Sequence, residues 1–227
     1  TTPKESSQAD LARMMVGRPV LLRIEKQPAK PGEVKLRVED LVVADDRRQL
    51  AVNGVSFEVR AGEIVGIAGV EGNGQNELVD AISGLRTAKE GQVLIDGRDF
   101  TRRSTRLRLR EGLSVIPADR HKEGIILELP ISDNLVLEDY DRNPFARWIV
   151  RNLRAVTEYA SRLIKQFDIR ASGPEAAAGS LSGGNQQKVV VARELGTEPM
   201  VLIACQPTRG IDVGSIEFIH QQIVAQR

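Results

Sequence analysis

Hydrophobic positions along the chain switch between two periods. From Val34 to Val43, residues Val34, Leu36 and Val38 alternate with charged residues, which predicts a half-buried strand. Val55–Val59 repeats the alternation before Ala61-Gly62 turns the chain, and Ile64–Ala68 is short and wholly apolar, the pattern of a buried strand. A glycine-rich loop follows, then Leu78, Val79, Ile82 and Leu85 at helical spacing. Val93–Ile95 predicts a strand closed by the Asp96-Gly97 turn, and Leu113–Ile116 a buried strand ending at Pro117. From Ile131 to Asp168 the period turns helical, through Leu135, Leu137, Phe145, Trp148, Ile149, Leu153, Tyr159, Leu163 and Phe167, and that spacing assigns Phe145 and Trp148 to a core. A loop at Pro174–Ser180 precedes a helix at Gln186–Leu195, a buried strand at Met200–Ala204 and a helix from Val213 to Arg227. Strands alternate with helices around a helical insertion of about residues 131–180, with no internal repeat, so an α/β domain is expected over residues 34–227. Residues 1–33 carry Pro3, Pro19, Pro28 and Pro31 and one short helical patch at Asp10–Val16, and read as a linker between domains.

Composition narrows the class. The 32 basic and 31 acidic side chains nearly cancel, which argues against a dedicated nucleic-acid binder. A single cysteine cannot close an intramolecular disulfide, so a reducing compartment suits the chain. No apolar run reaches the roughly 18–20 residues that span a bilayer, and the start lacks the apolar core of a secretory signal. Any membrane association is therefore expected through a partner. The chain begins at Thr1 without methionine and stops at Arg227 inside a helical pattern, so it reads as a fragment.

Three segments carry chemistry. Gly69-Val70-Glu71-Gly72-Asn73-Gly74-Gln75-Asn76 lies between an apolar strand pattern and a helix. Gly69 and Gly74 are in register with a phosphate loop, whose glycines let backbone N–H groups approach phosphate oxygens at a positive helix end. The lysine of that pattern is replaced by Gln75 and the magnesium-binding hydroxyl by Asn76. Gln75 can donate a hydrogen bond, but it brings no charge to the β- and γ-phosphates. The plain alternative is a glycine-rich turn with no ligand.

The second segment is Leu181-Ser182-Gly183-Gly184-Asn185-Gln186, where a capping serine and two glycines open a helix and offer a second anion site. This string resembles the ABC ATPase signature. In the third, Val201–Ala204 runs into Cys205-Gln206-Pro207-Thr208, where ABC ATPases carry Asp-Glu before Pro-Thr. An amide at Gln206 cannot act as general base, and a thiol at Cys205 offers no carboxylate to a metal's hydration shell. Such a cysteine is expected to be a small buried hydrophobe.

With the three motifs in order, the chain resembles, over nearly its whole length, the second ATP-binding domain of the tandem subunits that serve ribose, galactose and nucleoside ABC importers. Residues 68–78, Pro117-Ala118-Asp119-Arg120-His121-Lys122-Glu123-Gly124 and 206–214 carry that resemblance, and residues 72–75, 206–210 and 216–220 resemble the nucleoside branch more than the ribose branch. The resemblance implies a P-loop, RecA-like ABC core with a mixed sheet, an antiparallel β subdomain and an inserted helical subdomain. It implies ATP held by Gly69, Gly72, Asn73, Gly74, Gln75 and Asn76, with Mg²⁺ weakly supported and no catalytic residue in the chain's own site. It implies that Leu181, Ser182, Gly183, Gly184, Asn185 and Gln186 complete the active site of the first ATP-binding domain, and that Asp212 contacts that partner half. It implies permease subunits docked over about residues 119–150, where Phe145 and Trp148 would lie if they are not core residues, a solute-binding protein reached through them, no nucleic acid, and a peripheral place on the cytoplasmic face of the membrane. The coupling-loop glutamine of the family falls near Ala118, no aromatic residue in 44–52 is available to stack adenine, and a switch histidine would lie beyond Arg227.

In this fold a strand after the last helix sits between Ile64–Ala68 and Val201–Ala204. Because the chain stops first, a longer protein, a strand from a neighbouring molecule or a rearranged sheet is expected. Competing readings are a nucleic-acid or translation-linked ABC ATPase, supported by Arg98, Arg102, Arg103, Arg106, Arg108 and Arg110, a free-standing ATPase, and an interaction module that binds no nucleotide. The arginine run is expected to be a solvated helix face.

Overall fold

A computed structural model describes residues 28–227, together with Met14. The linker reading of 1–33 and the helical patch at Asp10–Val16 therefore fall almost wholly outside the described residues. The described chain divides into two units, one of residues 28–115 and 197–203 with Arg227, the other of residues 116–196 and 204–226.

The first unit is built on an antiparallel sheet. β1 (Val34–Ala44) lies between β2 (Leu50–Arg60) and β3 (Glu90–Ile95), and the short β4 (Arg98–Asp99) pairs with β3. Val38 faces Phe57 on one side and Val93 on the other. Leu36 and Val38 face the core, and so do Leu41 and Val43, although strict alternation would send the second pair outward. An irregularity between Val38 and Leu41, with Asp40 at φ 44°, shifts the phase by one residue and returns both pairs to the buried face. Helix α1 (Gln75–Ser83) adds Leu78, Ala81 and Ile82 to the same core, which Phe100, Leu113 and Val201 complete.

The arginine run is not a wholly solvated face. Helix α2 (Thr105–Arg110) turns Arg108 inward to 1% exposure. Its Nη1 donates to the carbonyls of Ala81 and Ile82 at 2.7 and 2.5 Å, its Nη2 to Thr101 O at 3.0 Å and its Nε to Arg103 O at 3.1 Å. A guanidinium in this place satisfies the last carbonyls of α1 and opposes the negative end of its dipole.

Ile64–Ala68 forms no strand. Ile64, Val65 and Ile67 are exposed, Ile67 to 57%. A strand exists only as one side of a ladder, and no described residue supplies the other side. β5 (Leu113–Ile116) pairs instead with β8 (Val201–Ala204) in a two-stranded sheet.

In the second unit the predicted continuous helical stretch is broken. A π-helical turn at Arg120–Gly124 leads to α3 (Ile131–Leu135), a hairpin of β6 (Ala146–Arg147) and β7 (Val150–Arg151), and α4 (Leu153–Gln166). Pro144 cannot supply the N–H that a helix needs, and Asn152 starts α4 afresh by accepting from Ala155 N at 3.2 Å. Phe145 is buried against Val136, Val156 and Tyr159, as expected, whereas Trp148 is 91% exposed, contrary to the core assignment. Helical spacing placed it inward, and the hairpin turn, with Trp148 at φ 60°, points it out. Helix α5 (Gly183–Gly196) is buried on nearly every face, and α6 (Val213–Ala225) follows β8. No described helix is long and apolar enough to cross a membrane.

Candidate nucleotide site

The glycine-rich loop and the first turn of α1 lie in the first unit. Gly74 sits at φ 91°, and a Cβ there would stand 2.1 Å from Ala51 O, so both conformation and space demand glycine. The loop has the form of a phosphate cradle, but its own Gln75 fills it. Nε2 of Gln75 donates to Val70 O at 3.0 Å, and Oε1 accepts from Asn73 N at 3.1 Å. The side chain lies so close over the loop that a Cβ on Gly69 would meet Nε2 at 2.0 Å. The amide that a phosphate oxygen would use is thus already satisfied within the chain. Gly72, Asn73 and Asn76 are exposed at its mouth.

The signature segment lies in the second unit. Ser182 precedes α5, and its hydroxyl accepts from Asn185 Nδ2 at 3.0 Å. Gln186 N bonds to Ser182 O at 2.9 Å, which leaves the first-turn amides of Gly183, Gly184 and Asn185 without partners inside the helix. Asn185 Oδ1 accepts from Arg170 N at 2.9 Å, and Leu181 is buried below the turn. Ser182 itself is exposed. The segment therefore presents a hydroxyl and free amides at the positive end of a helix.

Asp212 comes to the same place. It caps α6, accepting from Ser215 N at 2.9 Å and from Ser215 Oγ at 2.8 Å. Burial pushes its carboxyl up, but the bonds from the Ser215 hydroxyl and from backbone amides outweigh this, and it is held below the usual carboxylate range. A Cβ on Gly184 would lie 2.5 Å from Asp212 Oδ2 and 2.4 Å from Ser215 Oγ, so the second signature glycine is where α5 meets the α6 cap.

Two residues of the 117–124 segment, expected from the resemblance only as part of the permease-facing stretch, join this cluster. Arg120 Nη1 donates to Arg209 O at 3.1 Å, and its Nη2 would stand 3.0 Å from a Cβ on Gly183. His121 Nε2 donates to Gln186 Oε1 at 2.8 Å. Both are set by Asp119, which accepts from His121 N and Lys122 N and so starts the turn. An aspartate followed by basic residues was the signal available.

Cys205 is half-buried, not a core residue, and its N–H donates to Ile116 O at 2.9 Å. Gln206 is exposed at φ 44°, and its carbonyl accepts from Arg209 N at 3.0 Å. Asn76, Cys205 and Gln206 together supply no hydroxyl and no carboxylate, and no group of His, Cys, Asp and Glu among the described residues is arranged to hold a metal ion. The residues at these positions do not fit Mg²⁺.

Further along α5 the charged side chains are buried and paired. Arg193 Nε donates to Glu194 Oε1 at 2.8 Å and lies 3.9 Å from Glu138 Oε1, and Arg193 Nη1 donates to Gly124 O at 2.7 Å. Two carboxylates share one guanidinium. Burial, then the Glu194 charge, pushes the Glu138 carboxyl up to about 7.

The ABC transporter family model matches residues 52–209. The chain is 41% identical over 223 residues to the nucleoside import ATP-binding protein NupA of Lactococcus lactis subsp. cremoris, covering 98% of this chain and 44% of that protein. It is 42% identical over 224 residues to the guanosine import ATP-binding protein NupO of Bacillus subtilis, covering 99% and 44%. With the ribose import ATP-binding protein RbsA of Halalkalibacterium halodurans it shares 40% identity over 217 residues, covering 95% and 42%. The chain thus spans less than half the length of these relatives. Among solved structures, a nucleotide-free ATP-binding cassette from an ABC transporter superposes with a TM-score of 0.71 at 24% identity, covering 85% of this chain and 77% of that one. A cassette bound to ADP and Pi gives 0.70 at 23% identity, covering 83% and 81%. These likenesses establish the ABC cassette fold, with its mixed α/β core and antiparallel β subdomain. The chain belongs to the ABC transporter family.

Proposed function

We propose that this chain is the second ATP-binding half of an import subunit for nucleosides or simple sugars. In this reading it hydrolyses no ATP in its own loop and completes the working ATP site of the first half with its signature. The observation that carries the reading is the contrast between the two anion sites. The Gly69–Asn76 loop is closed on itself by Gln75, with no lysine, base or metal ligand, whereas Ser182, Gly183 and Gly184 keep a hydroxyl and free amides at the start of α5. A group that stabilises the γ-phosphate in the transition state needs only such donors. The relatives' names support import of nucleosides or sugars. Permease subunits follow as direct partners, and a periplasmic or lipoprotein solute-binding protein as an indirect one across the membrane, with this chain peripheral on the cytoplasmic face. The limits 34–227 for the domain and about 131–180 for its helical part belong to the same reading.

The test has two arms. Purified chain releases no phosphate from ATP. In the full-length subunit Ser182→Ala lowers ATP turnover about 10²–10³-fold with little change in melting temperature. Sustained phosphate release by the chain, abolished by altering Gln206, or normal turnover in the Ser182 variant, overturns the reading.

A further inference from the structure

The most exposed apolar feature of the second unit is the hairpin β6–β7. Residues 147–154 are exposed without interruption, and four of them are apolar: Trp148 at 91%, Ile149 at 82%, Val150 and Leu153. Apolar side chains gathered so fully into water mark a contact surface. The hairpin is held firmly at its base. Phe145 is buried edge-on to Tyr159 at 4.9 Å between ring centres, Asn152 N donates to Phe145 O at 2.7 Å, and Arg151 pairs with Asp133 of α3. The tip is therefore presented in one shape, with little ordering left to do on contact.

Charge says what kind of surface it meets. The whole chain carries a formal charge of +1, yet residues 142–157 contain Arg142, Arg147, Arg151 and Arg154 and not one carboxylate. Arg142 and Arg154 reach outside the stretch to Asp139 and Glu158, and Arg147, beside the tryptophan, makes no ion pair among the described residues. An apolar tip with the Arg147 guanidinium beside it suits the boundary of an anionic bilayer, with tryptophan at headgroup depth and that cation against phosphates.

We propose that the Trp148 hairpin is a lipid-contacting anchor that inserts into the surface of an anionic membrane. Trp148 is the sole tryptophan of the chain, so its fluorescence reports the contact directly. Titrated with vesicles containing phosphatidylglycerol, the chain's emission shifts to the blue and is quenched by lipids brominated on the acyl chains, while pure phosphatidylcholine vesicles have little effect. The double variant Ile149→Ser/Val150→Ser lowers partition into the anionic vesicles about tenfold, and Arg147→Glu lowers it by a similar factor and weakens its salt dependence. Vesicle sedimentation of Trp148→Ser, an exposed position that folding does not need, gives a second reading of the same loss. Unshifted emission with anionic vesicles overturns the proposal, as does equal partition into both lipids. A shift seen only when the vesicles carry permease subunits also overturns it and makes the hairpin a protein contact.

Discussion

The side-chain oxygen of Gln75 accepts a hydrogen bond from the backbone N–H of Asn73 at 3.1 Å. The residue that stands in the place of a phosphate-binding lysine thus takes up one of the amides that a phosphate would use. In the proposed reading, the missing charge and the filled cradle are together expected to weaken nucleotide binding.

Gln75→Lys is therefore expected to raise the affinity of the isolated chain for ATP about tenfold or more. The cation adds attraction and the loop loses its internal bond, where a charge-assisted hydrogen bond is worth about 1.5–3 kcal/mol. Hydrolysis stays absent, because Gln206 still cannot accept a proton. Calorimetric titration and phosphate release measure the two halves. Unchanged affinity removes Gln75 as the block.

The two signature glycines are expected to fail differently. Gly183→Asp places a carboxylate at a phosphate-facing turn and stops ATP turnover in the full-length subunit while the fold survives. Gly184→Ala drives a methyl group into Asp212 Oδ2 and Ser215 Oγ, so it costs about 1–3 kcal/mol of stability by overpacking. Thermal melting beside turnover separates the two. Equal melting temperatures for both variants contradict the assignment.

Arg108→Met removes the common donor to four carbonyls, among them Ala81 O and Ile82 O at the end of α1. Buried acceptors left unsatisfied cost about 1–3 kcal/mol each when they cannot reach water. A loss of about 3 kcal/mol or more in urea unfolding is expected. A loss under 1 kcal/mol shows that water replaces the guanidinium.

Stability should also depend on Glu138. Its carboxyl is raised from 4.5 to about 7 by burial and the Glu194 charge, so the folded chain keeps a proton that the unfolded chain has lost. The contribution is fully present below pH 4.5 and is lost as pH rises through 7. Glu138→Gln is expected to flatten the fall in urea midpoint across that window. An identical slope in the variant places the titration elsewhere.

Much of this protein is written locally. The strand at Leu113–Ile116 and the helices at Gln186–Leu195 and Val213 onward follow from period, capping and turn residues, and the structure places them within a few residues of those bounds. The same holds for the backbone of the glycine loop and of the Ser182 turn, because glycine and capping residues at fixed spacing set the local conformation. Tertiary structure decided what depends on partners distant in sequence. Ile64–Ala68 has the composition of a buried strand, but a strand needs a neighbour to accept its hydrogen bonds, and composition cannot supply one. Trp148 fits a helical stripe, yet Pro144 and the Asn152 cap interrupt the helix and turn the ring outward. Arg108 looks like one charge among several until the end of α1, 26 residues earlier, offers its carbonyls. Likewise, only folding brings Gln75 back over Asn73, since an amide side chain finds a backbone N–H once the loop is bent enough to present it.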